Sequence, residues 1–207
     1  AGATIILVCR NPAKGRAVAE RMRREAGNEA ISVLQADLSS FEEVRRVAGG
    51  IRERCDRLDV LLNNAGVMAI PERLSTADGF ERTLGVNHLG HYALTAQLLP
   101  QLRRAKDGFR VVAVSSAANS FATASGMRSA IDAGLETTPY SQWGSYGLSK
   151  AANILFVKEL QRRLDENGIK GVRFNFVKRL VDPLPPAVLS KLVERISRFG
   201  WHIVIYF

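Results

Sequence analysis

The chain has 207 residues, 46% of them hydrophobic and 24% charged, with seven prolines. That is enough for one domain with a sizeable core, and it excludes a disordered or low-complexity chain. The net charge of +9 raises the question of nucleic acid. The basic residues are scattered, however, in groups such as Arg21/Arg23/Arg24, Arg45/Arg46 and Arg162/Arg163 with carboxylates between them, which is the pattern of solvated helix faces and argues against a nucleic-acid partner.

A positive field of this kind also draws in a polyanionic cofactor. No apolar stretch reaches the roughly 18 residues that span a bilayer. Cys9 and Cys55 make neither a disulfide framework nor a metal site, so the expected setting is reducing and intracellular. The sequence opens on Ala1 rather than Met, so a targeting segment is neither implied nor excluded.

Residues 3–9 form a continuous apolar run rich in β-branched side chains, the signature of a strand buried on both faces. Asn11 offers an N-cap, Pro12 a first helical position and Gly27 a stop, with Val18, Met22 and Ala26 along one stripe. A second strand is predicted at 31–36. Ser40 and Glu43 then have capping-box spacing for a helix whose inner face carries Val44, Val47, Ala48, Ile51 and Cys55. A strand at 58–62 precedes a long helical pattern over 77–104, which Pro100 should kink or end. Residues 109–115 read as a strand, 145–166 as a helix stopped by Asn167 and Gly168, and 172–177 as a strand. Strands alternating with helices predict a doubly wound α/β fold on a parallel sheet. Ligands to such a sheet bind at the C-terminal ends of its strands.

Polar residues gather at those ends: Arg10 after the first strand, Asp37 after the second, Asn63–Gly66 after the third, and Ser115 and Ser116 after the fourth. Tyr146 and Lys150 are four apart on a helix and so share a face. A tyrosine, with a pKa of about 10, is a poor base at neutral pH. An ammonium about 4 Å away favours the phenolate by up to roughly 4 kcal/mol at an effective dielectric near 20. Such a pair can pass a proton to or from a substrate oxygen that Ser116 holds. The hydride must then come from a cofactor, because no side chain supplies one.

Taken together these residues resemble the short-chain dehydrogenase/reductase family, and most closely its retinol-dehydrogenase-like branch. The resemblance is carried by DL at Asp37–Leu38, NNAG at Asn63–Gly66, GVNHLGHYALT around Asn87, VSS at Val114–Ser116, YGLSK at Tyr146–Lys150 and SKAANILF after it. It covers about residues 3 to 177 and implies a Rossmann-type doubly wound sheet with an oxidoreductase activity. By resemblance Tyr146 is the acid/base and also contacts the cofactor, and Lys150 is both its charged partner and a ligand of the nicotinamide ribose. Ser116 positions substrate, and Asn87 holds a water in the proton relay. Asp37 and Leu38 contact adenine, while Asn64, Ala65 and Gly66 pack on the adenosine side. Arg10 stands where a carboxylate would select NAD, and an arginine there accommodates the 2′-phosphate of NADP. The implied substrate is a small hydrophobic carbonyl or alcohol, retinal-like or a lipid aldehyde. His88 and His91 read as packing or surface residues.

Two features depart from the family. The glycine-rich loop that binds the cofactor pyrophosphate is missing, as is the first strand before it, a unit of roughly 30 residues. Its loss predicts an unpaired gap in the middle of the sheet. The Pro-Gly turn expected after Asn175 is also replaced, by Phe176, Val177, Lys178 and Arg179. The single domain spans residues 1–207, with 183–207 as a substrate lid or tail. Pro185-Pro186 starts a short amphipathic helix. Trp201–Phe207 reads as a sheet-edge strand, a lid wall or a membrane-surface contact. The sequence leaves the oligomeric state open. The competing reading is a truncated, non-catalytic relative that acts as a binding or regulatory module.

Overall fold

The computed structural model describes residues 2–133, 139–166, 172–176 and 202–206. Six strands form one sheet: β1 (Thr4–Cys9), β2 (Ile31–Gln35), β3 (Val60–Asn63), β4 (Arg110–Ser115), β5 (Val172–Phe176) and β6 (His202–Tyr206). All neighbours are parallel, in the order β2-β1-β6-β3-β4-β5. Successive β1 side chains divide between two cores, as the unbroken apolar run predicts. Ile6 and Val8 join α2 (Phe41–Arg54) and α4 (Gly90–Leu102) on one face. Ile5 and Leu7 join Ala19 and Met22 of α1 (Pro12–Ala26) on the other.

The local signals act largely as their chemistry requires. The Asn11 side chain accepts from the amides of Ala13 and Lys14 at 3.0 and 3.1 Å, Pro12 opens α1, and Gly27 closes it in the left-handed conformation. Ser40 caps α2, but Glu43 does not return to the cap residue. Its carboxylate instead accepts from the Asp37 amide at 2.8 Å, tying the end of β2 to the helix. The long helix predicted over 77–104 is divided. A single turn, α3 (Arg82–Leu84), leads into a π-helical turn, Gly85–Leu89, and only then into α4. Pro100 does not end α4, which runs on to Leu102. A 3-10 turn at Ala117–Phe121 and a helix, α5 (Ala124–Ala133), precede the long α6 (Gln142–Glu166).

The expected central gap is filled. β6 runs between β1 and β3, with Val204 opposite both Ile6 and Leu61. The apolar run Trp201–Phe207 therefore contributes an internal strand rather than an edge strand, a lid wall or a membrane contact. Backbone pairing is the reason: β1 and β3 each present a row of peptide groups that only another strand can satisfy. Chain order reverses at this position, with β1 leading to β2 on one side and β3 to β4 and β5 on the other. It is the topological switch point, where ligands of such sheets bind. The amphipathic helix expected after Pro185-Pro186 lies outside the described residues, as does most of the 183–207 segment.

Candidate active site

α6 packs against β4 and β5 and brings most of the predicted residues to one place. Its seat depends on Gly147, where a Cβ would lie 2.4 Å from the Ala118 carbonyl oxygen and 3.0 Å from the Phe121 Cβ. With no side chain there, the helix packs directly on the 3-10 turn that Ser116 caps. The Ser116 hydroxyl accepts from the Ala118 amide at 3.3 Å and is almost fully buried. Ser115 serves a different purpose, since its hydroxyl donates to the Lys150 carbonyl at 2.9 Å and ties α6 to β4. Tyr146 lies one residue before Gly147, and the Trp143 ring meets it edge-on at 6.3 Å.

The Lys150 side chain is buried, with its ammonium 5.6 Å from the centre of the Tyr146 ring and donating to the Val114 carbonyl at 3.1 Å. Burial pushes its pKa down to about 8. The turn after β3 closes over this ammonium: a Cβ on Gly66 would sit 3.6 Å from Lys150 Nζ and 3.1 Å from the Asn87 side-chain oxygen. Ala65 is buried beside it and Asn64 half-buried, while Asn63 is taken into the core, donating to the Thr95 hydroxyl at 3.0 Å.

Asn87 stands in the π-helical turn and is fully buried. Its amide holds the turn after β3 from both sides, accepting from the Val67 amide at 2.7 Å and donating to the Val67 carbonyl at 2.9 Å. It also donates to the Ser149 hydroxyl at 3.0 Å. The Asn87 side chain is therefore occupied by protein, and what it presents further is its backbone carbonyl, which accepts from Asn153 and His91 at 3.1 and 3.0 Å. A π turn shifts the hydrogen-bond pattern by one residue, which places such a carbonyl within reach of a neighbouring helix.

The remaining predicted residues line the same edge of the sheet farther out. Asp37 is half-buried, and its carboxylate accepts from the Ser39 amide at 2.9 Å; Leu38 is in the core. Arg10 has an exposed side chain, and its carbonyl accepts from the Gln35 amide group at 3.3 Å. Arg46 reaches the same corner, donating to the Gln35 carbonyl at 2.9 Å. Sequence reasoning missed Asn153 and Trp143. Both lie three residues from a predicted partner, Lys150 or Tyr146, and the helical period puts them on the same face.

Of the two histidines, His91 is buried and His88 half-buried between Asn153 and the Tyr92 and Phe156 rings, which makes both packing residues. Burial lowers the His88 pKa and holds His91 down to about 4. Between pH 6.5 and 4 the unfolded chain binds a proton at residue 91 that the folded chain refuses. Stability should therefore be complete above pH 6.5 and fall with the pH through this window, by up to about 3 kcal/mol. Denaturant titrations at pH 7 and pH 4 should show a shallower loss in His91→Phe than in the unsubstituted protein. An equal loss in both would remove His91 as a source of the acid sensitivity.

Comparison with known proteins gives the family. A family model described as short chain dehydrogenase matches residues 1–128. Human retinol dehydrogenase 11 is 38% identical over 205 residues, an alignment that takes in 97% of this chain and 58% of that protein. The chain belongs to the short-chain dehydrogenase family, in its retinol-dehydrogenase-like branch. Human retinol dehydrogenase 13 is 40% identical over 168 residues, covering 81% of this chain and 49% of its own length. Any unbroken stretch that long includes Tyr146 and Lys150.

The chain thus spans about half the length of the curated relatives it matches. Among solved structures, an uncharacterised protein from Mycobacterium paratuberculosis aligns with a TM-score of 0.72 at 35% identity, covering 95% of this chain and 68% of that one. A metagenomic short-chain oxidoreductase in complex with NADP aligns with a TM-score of 0.66 at 22% identity, covering 99% and 86%, a likeness of fold alone. A second family model, described as amidohydrolase, matches residues 138–207. That stretch contains the tail after Asn175, where the sequence leaves the short-chain pattern, and it contains β6.

Proposed function

We propose that this protein is an oxidoreductase that moves a hydride between NADP(H) and a small hydrophobic carbonyl or alcohol. The observation that carries the reading is the seating of α6, which bears Tyr146 and Lys150, on the turn that Ser116 caps at the end of β4, with Lys150 buried and its ammonium directed to the Val114 carbonyl. The nicotinamide cofactor supplies the hydride when bound. Lys150 holds the ribose and lends its charge to the Tyr146 phenolate, Tyr146 gives or takes the proton at the substrate oxygen, and Ser116 holds that oxygen. Asp37 and Leu38 stand on the adenine side with Asn64, Ala65 and Gly66, and Arg10 takes the 2′-phosphate. The exposed Trp143, Phe121 and Met68 give a hydrophobic substrate an apolar approach.

The residues present fit the ribose and adenosine halves of the cofactor better than its pyrophosphate. In this structure the place between β1 and β3, where the family's strand and glycine-rich turn would stand, is held by β6. That observation favours a second reading, a non-catalytic relative that acts as a binding or regulatory module. Turnover separates the two. The purified protein, given NADPH and a long-chain aldehyde, should oxidise the cofactor in proportion to aldehyde consumed; cofactor binding without oxidation would support the module. Arg10→Glu should weaken NADPH about tenfold or more, since a charge-assisted phosphate contact becomes a repulsion, and leave NADH within about twofold. Equal effects on both nucleotides would take away the basis for choosing NADP.

A further inference from the structure

Asn153 is nearly as buried as the residues it serves, and each polar atom of its side chain is engaged. Its amide nitrogen donates to the Asn87 carbonyl at 3.1 Å and to the Val114 carbonyl at 3.3 Å. Its oxygen faces His88 Nδ1 at 3.1 Å. Two carbonyls on one side require the amide nitrogen there, so the oxygen must turn to His88, which then carries its proton on Nδ1. The amide has one workable orientation, and it bridges the π-helical turn, strand β4 and helix α6.

The Val114 carbonyl is the point of interest, because it is shared. It accepts from Asn153 and also from the Lys150 ammonium at 3.1 Å. For Lys150 to reach a bound nucleotide, its ammonium must turn away from that carbonyl, and a partly buried carbonyl that loses its donors opposes the movement. Asn153 removes the obstacle, since its amide remains on Val114 when the ammonium leaves.

We propose that Asn153 is a positioning residue that shares the Val114 carbonyl with Lys150 and keeps it bonded, so that the ammonium is free to turn to the ribose of a bound nucleotide. This rests on the reading of Lys150 as a ribose ligand. The sharing also has a consequence without any nucleotide. The positive end of the Asn153 amide faces the same oxygen as the ammonium, so it weakens the hold of that oxygen on the charged lysine.

The test has two arms. In the first, the Lys150 side chain of the nucleotide-free protein is titrated by NMR of isotope-labelled lysine. In Asn153→Leu, which keeps the side-chain volume but removes the amide, the Lys150 pKa should rise by roughly half a unit or more, because Val114 then serves the ammonium alone. An unchanged or lowered value overturns the sharing. Should the leucine variant fail to fold, Asn153→Ser keeps a single donor and should give a smaller rise; no rise overturns the proposal equally.

The second arm measures NADPH affinity by nucleotide fluorescence in the unsubstituted protein, Asn153→Leu, Lys150→Met and the double variant. Asn153→Leu should weaken binding about tenfold when Lys150 is present, or about 1.4 kcal/mol. It should weaken binding less than about twofold when residue 150 is methionine, because there is no ammonium to release. The same loss in both backgrounds makes Asn153 a packing residue and overturns the proposal. If the unsubstituted protein does not bind NADPH at all, the cofactor assignment fails, and the first arm still decides whether Asn153 and Lys150 share the carbonyl.

Discussion

Tyr146→Phe should lower turnover by about a hundred- to ten-thousandfold, the range that one proton-transfer group contributes, while NADPH affinity stays within about twofold. The substitution removes one oxygen and leaves the ring that packs edge-on against Trp143. The 3-10 turn and Gly147 contact that seat α6 do not involve that oxygen. Measured kcat and nucleotide Kd on the purified variant decide the matter, and turnover close to that of the unsubstituted protein would end the case for Tyr146 as acid/base. The same site carries a pH dependence. Lys150, pushed down to about 8 by burial, keeps its charge below that pH and loses it above. The positive charge that Lys150 holds beside Tyr146 is then present below about pH 8 and lost as the pH rises through it. Lys150→Met should remove this alkaline fall along with most of the rate.

Val204→Pro should abolish cooperative folding. Val204 is the middle residue of β6 and lies opposite Ile6 of β1 and Leu61 of β3, so its backbone stands inside the sheet. Proline there deletes a ladder donor and its ring obstructs a neighbouring strand, which is why proline is confined to edges and bulges. A split between β1 and β3 would separate the Arg10 and Asp37 corner from the Asn63–Gly66 turn and the rest of the site. Against a total stability of about 5–15 kcal/mol for a domain, parting a sheet through its centre is not survivable. Circular dichroism and thermal unfolding of the variant would show it. A cooperative transition within a few degrees of the unsubstituted protein would mean that β6 does not hold the sheet together.

Those two substitutions also mark where sequence reasoning succeeded and where it could not reach. The caps at Asn11 and Ser40, the both-faces-buried strand Thr4–Cys9 and the helix face shared by Tyr146 and Lys150 depend on contacts within a few residues or on simple periodicity, so they were legible. The π-helical turn was not. Its residue Asn87 is bonded to Val67 and Ser149, partners 20 and 62 residues away. Asn153 was overlooked for the same reason: its spacing from Lys150 was visible, but its carbonyl partners on two other elements were not.

By itself the sequence determined most of the element types, the parallel α/β class, the family and the set of strand-end residues proposed for the site. Each of these follows from short-range chemistry or from motifs that stand intact in the chain. Tertiary structure alone decided that the Asn87 side chain is occupied by the Val67 turn, that Lys150 and Asn153 share one carbonyl, and that β6 fills the centre of the sheet. The physical reason is common to all three. A buried backbone group must find a partner, and which group supplies it depends on what the fold brings near rather than on what lies beside it in the chain.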